Sequence, residues 1–470
     1  MRKDCVRNKV SVLLVVLLLV LMGGCSPAQV TSSSDSSPVT SIPESTAEPP
    51  AKQIAIISTT ERFSSPFGQG VAAEAERFAA DNDFGIEQYV IDDAQTTKAA
   101  LDSAIENGAE VVVGLDHDVS AALALAAEDH AAVKFILLDR EASFAMPDSP
   151  HDNMMTIGFC PAGAGWQAGY AAGCTALGLV AEDGNNPNAT QPQVAILLPV
   201  RSITAVEPPA PDAEPEAPTD CLDDSMGAIL SMVIPSQSEW GDRIFLTQRD
   251  LLYSLSALYG IDAAASTLGG LGVEDGGYPV LFIPVLGTDA ELETGGTLDA
   301  QTAEQNALET ARALFDDGVA MVIGVGEWQA PVQQAATEAA GWCVEIGENP
   351  SFGAGGFSGS AVAGVVQNGG TPVYTALEEW QAEVFVNGPR QVGAPQGGWT
   401  LLINEKVLAS AISPSPLIDE TALTLMQDAT QAYINSGDEE SLIDLKSRAM
   451  HGNVVDPDRY EFECVVVQAA

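Results

Sequence analysis

The sequence offers few side chains whose types and spacing suit catalysis. Its histidines form no HExxH or HxH pair, and they are His117, His130, His151 and His451. Asp116-His117-Asp118 is a local group of metal-ligand types, yet a polar loop that begins a helix accounts for it more simply. No GxxxxGK[ST] motif occurs, so a Walker-type phosphate loop is excluded. We therefore expect no metal, no cofactor and no enzymatic activity.

The glycine-rich segment 353–359 also falls short of a catalytic or nucleotide-binding motif. It lacks the last glycine of a dinucleotide-binding fingerprint and does not clearly lie between a strand and a helix. Gly356-Phe357-Ser358-Gly359-Ser360 differs from the GxSxG nucleophile elbow at its final position. This segment is therefore predicted to be a flexible loop.

Side chains suited to ligand binding occur where the predicted strands end. In parallel sheets ligands lie beyond the carboxyl ends of the strands, and in two-lobed proteins both lobes present those ends to one cleft. Those ends are residues 60–67, 115–118 and 139–140 in the first half, and 325–328 and 347–349 in the second. The candidate ligand-binding residues are Phe67, Gln69, Asp116, Gly326, Trp328, Glu348 and Asn349.

The types of these residues indicate the chemistry of the ligand. Trp328 is predicted to stack on a ligand ring, because a tryptophan in a loop directly after a strand is seldom purely structural. Phe67 fits a stacking role and the first core position of its helix equally well. Amide and carboxylate groups such as Gln69 and Asp116 can bond ligand hydroxyl groups. Since the chain is acidic and basic residues are scarce at these ends, we expect a neutral ring that bears hydroxyls.

Alternating strands and helices must position these side chains. Gln53–Thr59 is β-rich, and the helix after it has Ser65 as its N-cap and Pro66 at its first position. One face of this helix is apolar and carries Phe67, Val71, Ala75 and Phe78. Strand and helix patterns continue to alternate through residues 86–139. This alternation predicts an α/β fold with a doubly wound parallel sheet.

The same unit returns about 210 residues later, which predicts two similar lobes. Residues 105–114 and 315–324 share one pattern: a helix end, an acid or amide, a glycine as helix C-cap, then a buried strand that ends in glycine. Each copy precedes another predicted helix, at Val119–His130 and Pro331–Ala340. We therefore expect two doubly wound parallel-sheet lobes with a hinge and an interlobe cleft.

The start of the chain predicts secretion and a lipid anchor. Basic residues precede an apolar run from Val10 to Met22, which is too short for the roughly 20 residues of a spanning helix. Leu21-Met22-Gly23-Gly24-Cys25 resembles a bacterial lipobox, in which the cysteine thiol receives diacylglycerol. We expect residues 1–24 to be removed, Cys25 to carry the lipid, and residues 25–52 to form a Ser/Thr/Pro-rich stalk at the cell membrane.

The remaining boundaries follow from composition shifts. The first lobe is predicted at 53–158, the second at 159–349, a return to the first lobe at 350–404, and a C-terminal helical extension at 405–470. An acidic, proline-rich insertion at 206–224 suits a solvated spacer or, alternatively, a partner-docking segment. The cysteines after Cys25 show no CxxC pair, so buried small hydrophobic residues are the favoured account over a disulfide framework.

Charge excludes one large class of partner. The chain carries 65 acidic and 19 basic residues in a globular composition that is 46% hydrophobic. Nucleic-acid binding requires a basic footprint on the protein. We therefore expect no nucleic-acid partner.

Several segments resemble the basic membrane protein family of substrate-binding lipoproteins. Val133–Asp139 is similar to the family's strand that ends in Asp, and Asn153–Gly173 is similar to its crossover strand and helix. Val322–Gly347 is similar to its strand, glycine loop, helix and strand. The resemblance implies a type I periplasmic-binding fold, an ABC permease as partner and a purine nucleoside as ligand.

The family's binding residues transfer to this chain only in part. In Ser65-Pro66-Phe67-Gly68-Gln69 the family's Phe and Gln are kept, while its Asn is Gly68 and its base-reading Asp is missing. The ribose-binding Asp corresponds to Asn349, or to Glu348 with a one-residue slip, and no lysine occurs in residues 374–378. There are two alternatives to nucleoside binding. The protein binds a sugar or another metabolite in the same fold, or it is a sensory lipoprotein that binds a protein partner.

Overall fold

A computed structural model describes most of the body of the chain. The described residues are 52–92, 94–115, 117–139, 151–183, 194–198, 202–203, 228–229, 244–246, 248–267, 278–285, 296–297, 300–347, 359–404, 427–428, 431–432, 435 and 465–469. The predicted signal peptide, Cys25, the stalk and the acidic insertion at 206–224 lie outside these residues.

The described strands and helices alternate along most of the chain, as the sequence predicts. The strands are β1 Gln53–Thr59, β2 Gly85–Ile91, β3 Ala109–Leu115, β4 Lys134–Asp139, β5 Met154–Phe159, β6 Val194–Leu198, β7 Ser202–Ile203, β8 Ala228–Ile229, β9 Ile244–Leu246, β10 Tyr278–Pro284, β11 Gly296–Thr297, β12 Met321–Val325, β13 Trp342–Gly347, β14 Ala361–Gln367, β15 Gly388–Val392, β16 Trp399–Ile403 and β17 Val465–Ala469. The helices are α1 Thr60–Ser64, α2 Pro66–Asn82, α3 Ala94–Glu106, α4 Ser120–Asp129, α5 Ala162–Asp183, α6 Gln248–Thr267, α7 Ala300–Asp316, α8 Gln329–Ala339 and α9 Gly370–Gln381.

The strands form two large sheets with helices packed against them. The first sheet has the order β15-β5-β4-β3-β1-β2, and all of its strand pairs are parallel. The second has the order β16-β14-β13-β12-β6-β10-β17, and β16 is antiparallel to β14. A small antiparallel sheet of order β11-β7-β9-β8 accompanies them. The predicted fold of two doubly wound parallel-sheet lobes is confirmed.

The beginning of α2 follows the sequence signals closely. Ser65 is the N-cap, its side-chain oxygen accepts a hydrogen bond from the Gly68 amide at 3.1 Å, and Pro66 takes the first helical position. The predicted apolar face is buried: Phe67, Val71, Ala75 and Phe78 are each at most 1% exposed. Burial of these side chains fixes α2 against the first sheet.

The predicted repeat is present in both lobes. Gly108 and Gly318 end α3 and the corresponding α7, with φ of +90° and +88°, a left-handed conformation that glycine adopts without strain. A strand that the sequence places in the buried core follows each of them. The two copies therefore have the same local geometry.

Within the described residues, three connections join the two lobes. β5 of the first sheet leads to α5, which packs against β12, β13, β14 and β16 of the second. β14 leads back to α9, which packs against α2 and β4. β15 of the first sheet then leads through residues 393–398 to β16 of the second. The connections also bond to one another, since the Cys160 amide donates to the Val392 carbonyl and the Asn368 amide to the Gly398 carbonyl.

Two predicted boundaries differ from the structure. The segment 350–404 was predicted to return to the first lobe, but β14 and β16 belong to the second sheet and only α9 and β15 pack with the first. Residues 465–469 were predicted within a helical extension, but they form β17 and pair with β10. The β-branched run Val465-Val466-Val467 favours this strand pairing.

The described cysteines behave as small core residues. Cys160, Cys174 and Cys343 are buried and form no disulfide. Burial raises the pKa of the Cys174 thiol to about 12 and that of Cys343 well above its usual value. These two thiols stay protonated at neutral pH and are poor nucleophiles.

Among the described residues, no helix is both long enough and apolar enough to cross a bilayer.

Candidate functional site

The carboxyl edges of the two sheets are brought together by the three connections. The first leaves the carboxyl end of β5 and enters the N-terminus of α5, and the second leaves β14 and enters α9 in the same way. The third joins the carboxyl end of β15 to the start of β16, which runs antiparallel in the second sheet. Each connection therefore runs from one carboxyl edge to the other. The strand ends expected to meet a ligand lie along these two edges.

The first-lobe edge is built by α1 and the start of α2. Thr59 at the end of β1 accepts a hydrogen bond from the Arg62 amide at 3.2 Å and thereby caps α1. Ser65 donates its hydroxyl to the Arg62 carbonyl at 2.7 Å. These two hydrogen bonds fix the short turn between β1 and α2. The turn places the Arg62 guanidinium over the ring of Phe67, with 4.1 Å between the guanidinium carbon and the ring centroid.

Phe67 occupies a core position in this arrangement. Its ring is 1% exposed and makes an edge contact with Phe159 at 5.5 Å between centroids. Arg62 covers one face of the ring, and the Phe67 ring also contacts the second connection, where Gly369 leaves room for it. Of the two roles that the sequence allows for Phe67, this geometry favours the core role.

Gln69 lies exposed on the same edge. Its side-chain amide donates to the Ser64 carbonyl at 2.9 Å, so the side chain is held back along α1. The amide oxygen remains on the surface, where a ligand donor can reach it. Gln69 therefore keeps a geometry compatible with its predicted role.

The second-lobe edge carries Gly326 and Trp328 in a 3-10 turn after β12. Gly326 has φ of +59°, so the turn requires a residue that tolerates the left-handed region. Trp328 is 2% exposed and packs among the apolar side chains of α7 and α8, including Ala303, Ala307 and Val332. Its ring presents no free face to a ligand in this arrangement, because Trp328 lies directly before α8 and its side chain is buried in the core.

Two buried polar residues at this edge were not predicted. Asp250, in the first turn of α6, is 2% exposed, and its Oδ1 lies 3.7 Å from the place where a Gly326 side chain would begin. Gln329 donates its amide to the Gly326 carbonyl at 2.9 Å and to the Ile346 carbonyl at 2.7 Å. It thereby ties the ends of β12 and β13 together. Neither position has a sequence signal, because each looks like an ordinary residue near a helix start.

Three further predicted positions lie outside the described residues: Asp116, Glu348 and Asn349. In the part of the chain that is described, no group of three His, Cys, Asp or Glu side chains is placed to hold a metal ion. The described edges thus combine a buried guanidinium, a buried carboxylate and an exposed amide. Such an arrangement can orient a polar ligand by hydrogen bonds.

Comparison with known proteins gives structural similarity only. No family model matches the chain, and no curated protein matches it. A solute-binding protein of an ABC transporter system from Aeropyrum pernix is similar, with 14% identity, a TM-score of 0.43, and 86% of this chain and 92% of that chain covered. Its counterpart from Conexibacter woesei gives 14% identity, a TM-score of 0.44 and coverages of 86% and 97%.

A transcriptional activator of the comK gene from Bacillus halodurans is similar as well, with 12% identity, a TM-score of 0.47 and coverages of 82% and 98%. Because each TM-score lies below 0.5, we draw no functional conclusion from these similarities.

Proposed function

We propose that the protein is the solute-binding component of an ABC importer, anchored through a lipid on Cys25 at the extracytoplasmic face of the cell membrane. The observation that carries this proposal is the topology. Two sheets of matching strand order are joined at their carboxyl edges by three connections. Lobes connected in this way can rotate about the connections and close on a ligand, which an ABC permease then accepts.

We propose a nucleoside as the ligand. A nucleoside combines a flat ring with hydroxyl groups, and Gln69 lies at the first-lobe edge with its amide exposed. Asp116, Glu348 and Asn349 are further candidates for bonds to its hydroxyls. Stacking on Phe67 requires the Arg62 guanidinium to move from the ring face that it covers.

A sugar is the second candidate, and one observation favours it. Both rings predicted to stack, Phe67 and Trp328, are at most 2% exposed. A sugar needs hydrogen bonds more than it needs a flat stacking partner. Buried groups at the edges, such as Asp250, suit hydroxyl recognition.

Thermal unfolding of the full-length chain in detergent tests the proposal. The chain is heated with adenosine, inosine, guanosine, ribose, galactose or amino acids. A ligand at about 100 times its Kd stabilises the protein by about 2.7 kcal/mol. We expect nucleosides alone to raise Tm. Stabilisation by sugars alone contradicts the nucleoside assignment, and no stabilisation by any compound contradicts solute binding.

Two matched variants refine the test. Gln69→Ala is expected to weaken ligand binding, whereas Gln88→Ala, which removes another exposed glutamine amide on β2, leaves it unchanged. Equal affinities of the two variants exclude Gln69 from the site. For the anchor, Cys25→Ser is expected to move the protein from the membrane fraction to the medium or periplasm, and retention in the membrane argues against lipidation.

A further inference from the structure

An apolar patch lies at the amino edge of the first lobe, at the opposite end of its strands from the candidate site. Val384 and Val386, between α9 and β15, are 59% and 60% exposed. Phe385 between them is half-buried and packs against the core, as do Phe84, directly before β2, and Trp380 of α9. We call these five residues the amino-edge patch.

Hydrogen bonds at the end of α9 fix the exposed turn. The Glu383 amide donates to the Trp380 carbonyl at 3.0 Å, and the Val384 amide donates to the Glu379 carbonyl at 2.9 Å. Glu383 takes the left-handed conformation that commonly ends a helix, with φ of +61°. The exposure of Val384 therefore belongs to a closed helix end and not to a frayed one.

Two lysines border the amino-edge patch. Lys52 Nζ lies 5.5 Å from the ring centroid of Phe84, and Lys134 Nζ lies 5.3 Å from that of Phe385. Tryptophan and lysine suit the boundary between water and lipid, because their apolar parts enter it while their polar ends stay with the headgroups. Since Glu110 lies 3.8 Å from Lys52, the patch is not strongly basic and suits a zwitterionic headgroup layer.

The chain enters the first lobe beside this patch. The predicted stalk ends at Lys52, and β1 begins at Gln53. The Gly85 amide donates to the Lys52 carbonyl at 2.9 Å, so the end of the stalk is hydrogen-bonded next to Phe84. A lipid on Cys25 is thus attached to the lobe at the edge that carries the exposed valines.

We propose that the amino-edge patch docks on the lipid bilayer, with Val384 and Val386 entering its headgroup region. This docking rests on the lipid anchor that the proposed function assigns to Cys25. The anchor confines the lobe near lipid, and a contact that is weak by itself becomes populated at such a high local concentration.

Docking gives the first lobe a defined orientation. The carboxyl edge lies at the other end of the same strands, and β1 has seven residues. At about 3.3 Å per residue, that edge is held about 20 Å from the amino edge. The docked lobe therefore presents its candidate site away from the bilayer, towards the solution from which a solute is captured.

Bromine quenching of Trp380 tests the docking. The full-length lipidated chain is reconstituted in phosphatidylcholine vesicles with or without bromine on the acyl chains, which quenches tryptophan fluorescence at short range. The difference between the native chain and Trp380→Phe isolates the emission of Trp380 from that of the other tryptophans. We expect brominated lipid to reduce the Trp380 emission by about half or more, because the patch lies at the acyl boundary.

A pair of double variants tests the location. Val384→Asp with Val386→Asp adds two charges to the patch, whereas Val90→Asp with Leu125→Asp adds them at first-lobe positions that are 56% and 66% exposed. All four sites are exposed, so we expect an unchanged Tm in both variants. Both should float with the vesicles through the lipid, but only the patch variant should lose Trp380 quenching. Equal quenching in the two variants contradicts docking through the patch.

The remaining outcomes separate docking from the anchor. A native chain that floats without quenching of Trp380 overturns the docking and leaves the lipid anchor and solute binding intact. A native chain that does not float rejects the anchor and the docking together. A dimer in detergent that the patch variant dissociates, measured by analytical ultracentrifugation, together with unquenched Trp380 assigns the patch to a second copy of the chain and overturns the proposal.

Discussion

The two lobes repeat one strand order but complete it in different ways. Five strands correspond, with β2-β1-β3-β4-β5 in the first sheet and β10-β6-β12-β13-β14 in the second. The sixth strand is parallel in the first sheet and antiparallel in the second. Residues 393–398 are too few to carry the chain back to the amino edge, so β16 must start at the carboxyl edge and run antiparallel. The length of the third connection thus decides the direction of a strand.

Corresponding helix pairs also differ. In the second lobe α5 and α6 approach through glycines: a side chain at Gly169 would begin 1.9 Å from the Ala257 carbonyl oxygen, and one at Gly260 would begin 2.1 Å from that of Trp166. In the first lobe α2 and α9 are joined by aromatic contacts around Phe78. We therefore expect the two helix pairs to tolerate different substitutions.

Gly169→Leu is expected to have the largest effect on stability. The added side chain forces α5 and α6 apart, since the obstacle is the backbone of the partner helix. We expect a loss of about 5 kcal/mol or failure to fold, measured by urea unfolding. The matched control in the first lobe is Gly70→Ala, where no atom obstructs the side chain, and a gain of up to about 1 kcal/mol is expected. Similar effects of the two variants contradict the contrast between the helix pairs.

Phe78→Ala removes the centre of the aromatic contacts in the first lobe. The ring is fully buried and lies 5.7 Å from the rings of Phe84 and Tyr374, measured between centroids. We expect a loss of about 3–5 kcal/mol in urea unfolding, because the cavity sits between α2 and α9. Trp380→Phe keeps an aromatic ring at the edge of this group and should have a smaller effect. A loss below 1 kcal/mol for Phe78→Ala shows that the two helices do not depend on it.

Asn153 and Ser360 precede corresponding strands and permit a direct comparison of the lobes. Asn153 is buried, and its amide nitrogen lies 3.0, 3.1 and 2.9 Å from the carbonyl oxygens of Ala127, His130 and Val133, so its two N–H groups are shared among three acceptors. Ser360 makes one side-chain contact, at 2.9 Å to the Thr337 hydroxyl. We expect Asn153→Ala to cost about 2–3 kcal/mol and Ser360→Ala about 1 kcal/mol. Thermal unfolding at matched protein concentration gives both values, and a reversed order refutes the comparison.

The smallest expected effect concerns surface charge in the second lobe. The Arg312 guanidinium of α7 donates to the Glu338 carboxylate of α8 at 2.6 Å, and the Gln334 side chain donates to the same carboxylate. Both hydrogen bonds lower the pKa of Glu338, to about 2. The pKa of Glu338 is lower in the folded protein than its unfolded-state value of about 4.3. Its ion pair therefore stabilises the folded protein fully above that unfolded-state pKa, and this stabilisation is lost as the pH falls through about 2. In the first lobe an ion pair between Lys98 and Asp102 lies within α3 alone.

Arg312→Ala removes this contribution. The urea midpoints of the native chain and the variant should differ slightly above pH 5 and converge as the pH falls towards 2. Lys98→Ala serves as the first-lobe control and should not change the α7 to α8 contact. A difference between native chain and Arg312→Ala that grows with acidity contradicts the assignment.

Local signals in the sequence were sufficient for much of the fold. The cap at Ser65, the apolar face of α2 and the glycines Gly108 and Gly318 each depend on residues within one or two helical turns. The repeat of that unit predicts two lobes, and the two large sheets confirm them. These features depend on the spacing of apolar residues and on the conformational preferences of single residue types, and both can be read from one sequence.

The environment of a side chain was decided only by tertiary structure. Phe67 and Trp328 each follow a strand, and the sequence could not tell a ring facing a ligand from one covered by Arg62 or by α7. Asp250 and Gln329 reach their surroundings through contacts between distant segments. β17 joins β10 across nearly 200 residues of chain. Non-local packing determines burial and pairing, because the groups that remove a side chain from water come from elements far away in sequence.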